Sequence, residues 1–112
     1  MIEIVSRERC IICDLCVAVC PDNVFDAVPA APPIIARKED CQTCFMCELY
    51  CPVDALYVSP LADLDDPVDE ATVAAAGLFG SYQRALGWKK ARPGGTDADL
   101  SYRIFEDGTV RP

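Results

Sequence analysis

The chain contains no histidine and a single tryptophan, and its 10 basic residues are outnumbered by 18 acidic ones. The missing imidazole removes the commonest general base and excludes a Rieske centre, which takes two histidines on one iron. A net charge of −8 offers no basic face for phosphate, which argues against nucleic acid as a partner. No apolar run reaches the roughly 18 residues that mark a membrane-spanning helix, so a chain that is not membrane-spanning is expected. The opening MIEIVSRER has no basic stretch followed by an apolar one, so no secretory leader is expected and the expected localisation is cytoplasmic. Glycine-rich phosphate loops, dinucleotide fingerprints and nucleophile–base pairs are all missing, and no catalytic site is expected in this chain.

Cysteine is what the chain does have, and all eight copies fall in two runs. The first is CIICDLCVAVCP, with Cys10, Cys13, Cys16 and Cys20; the second is CQTCFMCELYCP, with Cys41, Cys44, Cys47 and Cys51. Both read CxxCxxCxxxCP. A shift of 31 positions, Cys10 to Cys41, also lays Ile4 on Ile35, Glu8 on Glu39 and Pro21 on Pro52. This is a duplication too short for a solenoid. In a chain where no leader is expected, such density points to metal ligation and away from disulfides. A four-iron cubane wants one soft thiolate at each corner, and three cysteines spaced two residues apart can wrap three corners from one loop. Two tetrahedral zinc sites would also use eight thiolates, although zinc knuckles usually pair CxxC units without the third cysteine and the CP.

The doubled run resembles the two-cluster bacterial ferredoxins. The resemblance implies an α+β, ferredoxin-like fold with pseudo-twofold symmetry, two [4Fe-4S] clusters and a role in electron transfer. It also implies a crossed ligand set, in which the last cysteine of each run reaches the other cluster. Carried over, one cluster takes Cys10, Cys13, Cys16 and Cys51, and the other takes Cys41, Cys44, Cys47 and Cys20. Ferredoxins of this type often carry glycine after the second cysteine, where this chain has Asp14 and Phe45. Phenylalanine tolerates a left-handed backbone poorly, so the loop around Phe45 is expected to differ in detail.

Residues 2–5 read as a strand, 14–20 as a short helix stopped by Pro21, and 24–28 as a second strand. The prolines of 29–33 predict a loop. Residues 34–36 and 55–58 read as further strands around the second run, giving two βαβ-like halves. Phe25, Phe45, Tyr50 and Tyr57 are expected to shield the clusters, and Arg7, Arg9, Arg37 and Lys38 to be solvated loop charge. Asp54 reads as a turn or cap residue. Ile11 and Ile12 face Gln42 and Thr43 in the overlay. Hydrogen-bond donors near sulfur raise a cluster's potential, so the second cluster is expected to be the easier to reduce.

Two domains follow: 1–59, the two-cluster unit, and 60–112, a C-terminal extension of short helices and a hairpin. In the extension Asp69 reads as an N-cap with Gly77 as the stop. Leu78, Phe79, Tyr82, Ala85 and Leu86 recur at helical spacing up to Gly87, and Asp107-Gly108 signals a hairpin across 100–110. The ending LSYRIFEDGTVRP is similar in style to the tail of the iron–sulfur subunit of adenylylsulfate reductase, which wraps a flavoprotein of the fumarate reductase type. That implies a hetero-oligomer in which 60–112 docks on a flavin-containing oxidoreductase. The alternatives are a free ferredoxin covered by its own extension and, in another class, a zinc-bound structural module.

Overall fold

A computed structural model gives the fold and describes residues 1–87 together with Leu100, Ser101 and Arg103. Within it the chain is α+β. Strand β1 (Ile2–Val5) pairs antiparallel with β4 (Leu56–Val58). Strand β2 (Phe25–Val28) pairs antiparallel with β3 (Ala31–Ile35). Each sheet therefore takes one strand from each side of the duplication, and β1 and β2 share no ladder. Two-stranded ribbons are marginal alone, and here they are backed by a common core. Ile2, Val24, Phe25, Leu56 and Val58 pack there with Cys16, Cys47 and Cys51.

The proline-rich stretch departs from expectation, since Pro32 and Pro33 lie inside β3 and not in a loop. A two-stranded ribbon has only edge strands, so a residue without an N–H can face outward at no cost to the ladder. The turn is narrower than expected and falls at Pro29-Ala30, with Ala30 at φ 55°.

Helices α1 (Leu15–Val19) and α2 (Met46–Tyr50) are five residues each, far too short to be stable in isolation. Their positions are set by the cysteine loops before them and by Pro21 and Pro52 after them. The expected start of the first helix, Asp14, is instead a left-handed residue preceding it.

Residues 1–82 form one compact unit and 83–112 a second. The segment after β4 shares the first unit with the cysteine runs. Helix α3 (Glu70–Ala75) is capped by Asp69, whose carboxylate accepts from the Thr72 N–H at 3.3 Å, and Gly77 follows at φ 67°. Val73 and Phe79 pack with Tyr57 in a smaller core flanked by Ile4 and Val68. The carboxylate of Glu3 accepts from the Asp66 N–H at 3.0 Å, and Ser6 donates to Glu70. The helical pattern through Leu78 and Phe79 is corrected by the structure: α4 (Ser81–Leu86) begins only after Gly80, at φ 68°. Leu78 and Phe79 precede it, because the chain turns where the Gly80 N–H donates to the Leu56 carbonyl. Most of the hairpin expected at 100–110 lies outside the described residues; at its start the Arg103 N–H donates to the Leu100 carbonyl at 3.0 Å.

Candidate metal centre

Each cysteine run enters its helix through the same backbone device. Ile12 and Asp14 stand at φ 59° and 56°, and Thr43 and Phe45, 31 residues later, at 59° and 63°. Asn23 and Asp54 repeat the feature after each proline, at φ 55° and 52°. Left-handed residues alternating in a loop turn successive N–H groups toward its concave side, the geometry that receives anions and iron–sulfur groups. The loop at Phe45 thus matches the one at Asp14 and does not differ from it as expected. The surroundings outweigh the ordinary aversion of a bulky residue to positive φ: the Phe45 ring packs against the core and stacks on Tyr82, with centroids 4.2 Å apart.

The structure gathers the cysteines into two cavities. One, about 310 Å³ and open in part to solvent, is lined by Cys10, Cys13, Cys16 and Cys51. The other, about 320 Å³ and also partly open, is lined by Cys41, Cys44, Cys47 and Cys20. Their walls correspond through the duplication, with Val24 and Phe25 in one where Ala55 and Leu56 stand in the other. Each cavity therefore draws three cysteines from one run and the last cysteine from the other. Cys16, Cys47 and Cys51 are buried, while Cys13 and Cys44 are exposed.

Backbone amides already point at these sulfurs. The Ala55 N–H donates to Cys51 Sγ at 3.2 Å, the Ile2 N–H to Cys41 Sγ at 3.3 Å and the Ile12 N–H to Cys10 Sγ at 3.4 Å. Burial pushes the Cys16 thiol up to about 12; the Val17 amide opposes this, and Cys51, Cys10 and Cys13 add to it. Burial likewise pushes Cys47 up, with Cys16, Cys41 and Cys44 contributing. Four thiols crowded around an apolar-walled space repel one another as thiolates and need cationic metal to be stable together. The donor set is sulfur only, with amides oriented to its charge, and it fits an iron–sulfur group. Among the described residues no three cysteine, aspartate or glutamate side chains meet closely enough to hold a single metal ion.

The other residues singled out in the sequence divide. Phe25 is buried in the wall of the second cavity, whereas Tyr57 is buried in the smaller core with Val73 and Phe79 and lines neither cavity, and Tyr50 is 40% exposed. Arg7 is exposed, but the other three basic residues are more engaged than solvated loop charge. Arg37 pairs with Asp26, Lys38 pairs with Glu3 and with Asp65, and the Arg9 guanidinium lies 4.6 Å from the Phe79 ring centroid. Burial alone would depress the Lys38 ammonium, but its bonds to Asp65 and Glu3 outweigh that and hold it above the usual lysine value. Gln42 is exposed at the rim of its cavity, and the buried Thr43 hydroxyl oxygen has no hydrogen-bond partner. Sequence reasoning missed Glu48. It is buried on α2 between Cys47 and Cys51, and its carboxylate accepts from the Val58 N–H at 3.2 Å and the Tyr82 N–H at 2.8 Å. Nothing in the pattern of α2 marks a charged residue there as buried.

A duplicated thiol framework with inward amides defines a small iron–sulfur protein. Known proteins agree: residues 3–26 match the 4Fe-4S binding domain family. Over 48 residues the chain is 40% identical to an uncharacterised ferredoxin of Methanocaldococcus jannaschii, a stretch covering 43% of this chain and 76% of that protein. Over 46 residues it is 37% identical to a ferredoxin of Methanothermococcus thermolithotrophicus, covering 41% of this chain and 75% of that one. No solved structure gives a significant match. The chain belongs to the 4Fe-4S ferredoxins, and its role is iron–sulfur electron transfer. Among the described residues no helix is long and apolar enough to cross a membrane.

Proposed function

We propose that the chain holds two [4Fe-4S] clusters, one on Cys10, Cys13, Cys16 and Cys51 and the other on Cys41, Cys44, Cys47 and Cys20, and conducts single electrons through both. The crossed lining of the two cavities is the observation that carries this reading. Bound clusters of this kind supply one-electron couples. The residues of the chain supply the thiolates, the inward amides and an apolar wall against water. The crossing ties the duplicated halves into a pseudo-twofold unit, so cofactor binding and folding are coupled. Anaerobic reconstitution followed by iron and sulfide analysis tests it. The expected result is about eight irons per chain, from four per cluster, with broad visible absorbance that bleaches on reduction. A colourless protein loaded with zinc would refute it.

For the partner, we propose a flavin-containing oxidoreductase subunit of the fumarate reductase type, in a cytoplasmic hetero-oligomer docked through residues 60–112. The resemblance of the tail, the net charge of −8 and the extent of chain beyond the ferredoxin match support this. Packing of residues 60–82 against the cysteine framework favours a second reading, a free ferredoxin with its own cover. Native mass after coexpression with a flavoprotein encoded beside it separates them: a stable complex supports the first, a monomer the second.

A further inference from the structure

The two cysteine loops have the same backbone but unlike covers. In the second loop Phe45, directly after Cys44, lines the cavity, and the Tyr82 ring stacks on it at 4.2 Å and 26°. Tyr82 is held there by its own N–H, bonded to the buried Glu48 carboxylate, and by the preceding turn, where the Gly80 N–H meets the Leu56 carbonyl at 3.1 Å. In the first loop Asp14 takes the place of Phe45, and no aromatic residue is among those lining that cavity. Ile11, Ile12 and Leu15 beside it are 58%, 40% and 40% exposed. The two loops are therefore alike in backbone, and the segment after β4 places an aromatic ring on the residue that follows Cys44.

We infer that Tyr82 is a positioning residue for electron transfer: through Phe45 it shields the cluster of the second run from water, lowering that cluster's reduction potential relative to the first. Solvent exposure and hydrogen bonds to sulfur are among the factors that set such potentials. An aromatic pair over the loop limits both. This reverses the order expected from Gln42 and Thr43, because Gln42 sits at the exposed rim and the Thr43 hydroxyl is not part of the cavity wall. The inference rests on the two-cluster reading and concerns the second site of that reading.

The test is an EPR-monitored redox titration of the cluster-loaded full-length protein and its Tyr82→Ala and Tyr82→Phe variants. In Tyr82→Ala the couple of the second run is expected to shift upward and its cluster to bleach faster in air, with the first couple unmoved. Tyr82→Phe keeps the ring and is expected to match the parent. A merely structural role would lower the melting temperature of Tyr82→Ala and leave both couples in place; unchanged potentials, or equal shifts of both, overturn the inference. If Tyr82→Ala fails to retain clusters, Tyr82→Leu is titrated in its place, with the same two outcomes. Iron content is read separately. Four irons per chain overturn the two-cluster reading, and the Tyr82 comparison is then made on the single remaining couple.

Discussion

The Tyr82 amide donates to Glu48 Oε1 at 2.8 Å, joining residues 34 positions apart in the chain. The other carboxylate oxygen takes the Val58 N–H, so one side chain ties α2, β4 and the start of α4 together. Removing it strands two backbone donors at a site that is 1% exposed. A buried donor left unsatisfied costs about 1–3 kcal/mol. Glu48→Ala is expected to destabilise the cluster-loaded protein by at least that much in denaturant unfolding, and Glu48→Gln, which keeps one acceptor, by less.

Gly80 and Gly77 share a left-handed backbone but not the same surroundings. A Cβ at Gly80 would stand 2.4 Å from Asp54 Oδ1, whereas one at Gly77 meets nothing within 4 Å. The backbone term alone is about 1–2 kcal/mol for a non-glycine residue. Thermal melts should show Gly77→Ala losing about that amount and Gly80→Ala clearly more, and the excess should shrink when Asp54 is also changed to glycine.

The crossed cavities make a prediction opposite to the order of the sequence. Cys20 belongs to the first run by position and to the second cavity by place. Cys20→Ser is expected to impair the cluster of Cys41, Cys44 and Cys47 and spare the other. Iron analysis and EPR of the reduced variant decide it, and selective loss of the cluster on Cys10, Cys13 and Cys16 would show the crossing to be wrong.

Acid and base act in opposite directions on the metal-free and loaded forms. In the metal-free chain the Cys16 thiol is raised from an ordinary 9.0 to about 12 by burial, so the fold favours its protonated form. That contribution is fully present below 9.0 and is lost as pH climbs toward about 12. Cluster binding requires thiolates and releases protons, so the loaded form is expected to lose iron in acid. Reconstitution yield should rise with pH across the mildly alkaline range, while the melting temperature of the metal-free chain should hold up to 9.0 and fall above it.

Two exposed carboxylates extend the acid side. The Arg37 guanidinium holds Asp26 below the usual carboxylate range, and bonding to Thr72 does the same for Asp69. Depressed values mean stability that is present above the unfolded value and lost as pH falls through the folded one. Protection factors in α3, measured against the intrinsic exchange rate at each pH, are expected to fall on acidification, and Asp69→Ala should abolish that pH dependence.

The ligand chemistry was legible in the sequence because it depends on residue type and local spacing: eight cysteines, a 31-residue shift and two prolines that stop the helices. The Asp69 cap and the glycines ending α3 and α4 were legible for the same reason, being local. What only the tertiary structure decided is what crosses between segments. The strands pair across the duplication and not within each half. Pro32 and Pro33 enter a strand because their ribbon has no interior. Glu48 is buried and Phe45 accepts a left-handed backbone because residues from beyond the cysteine runs close over them. A side chain's partners across 34 residues leave no periodic trace in a single sequence. So the eight candidate ligands came from the chain itself, and the difference between the surroundings of the two cysteine loops came from how its later segment folds back.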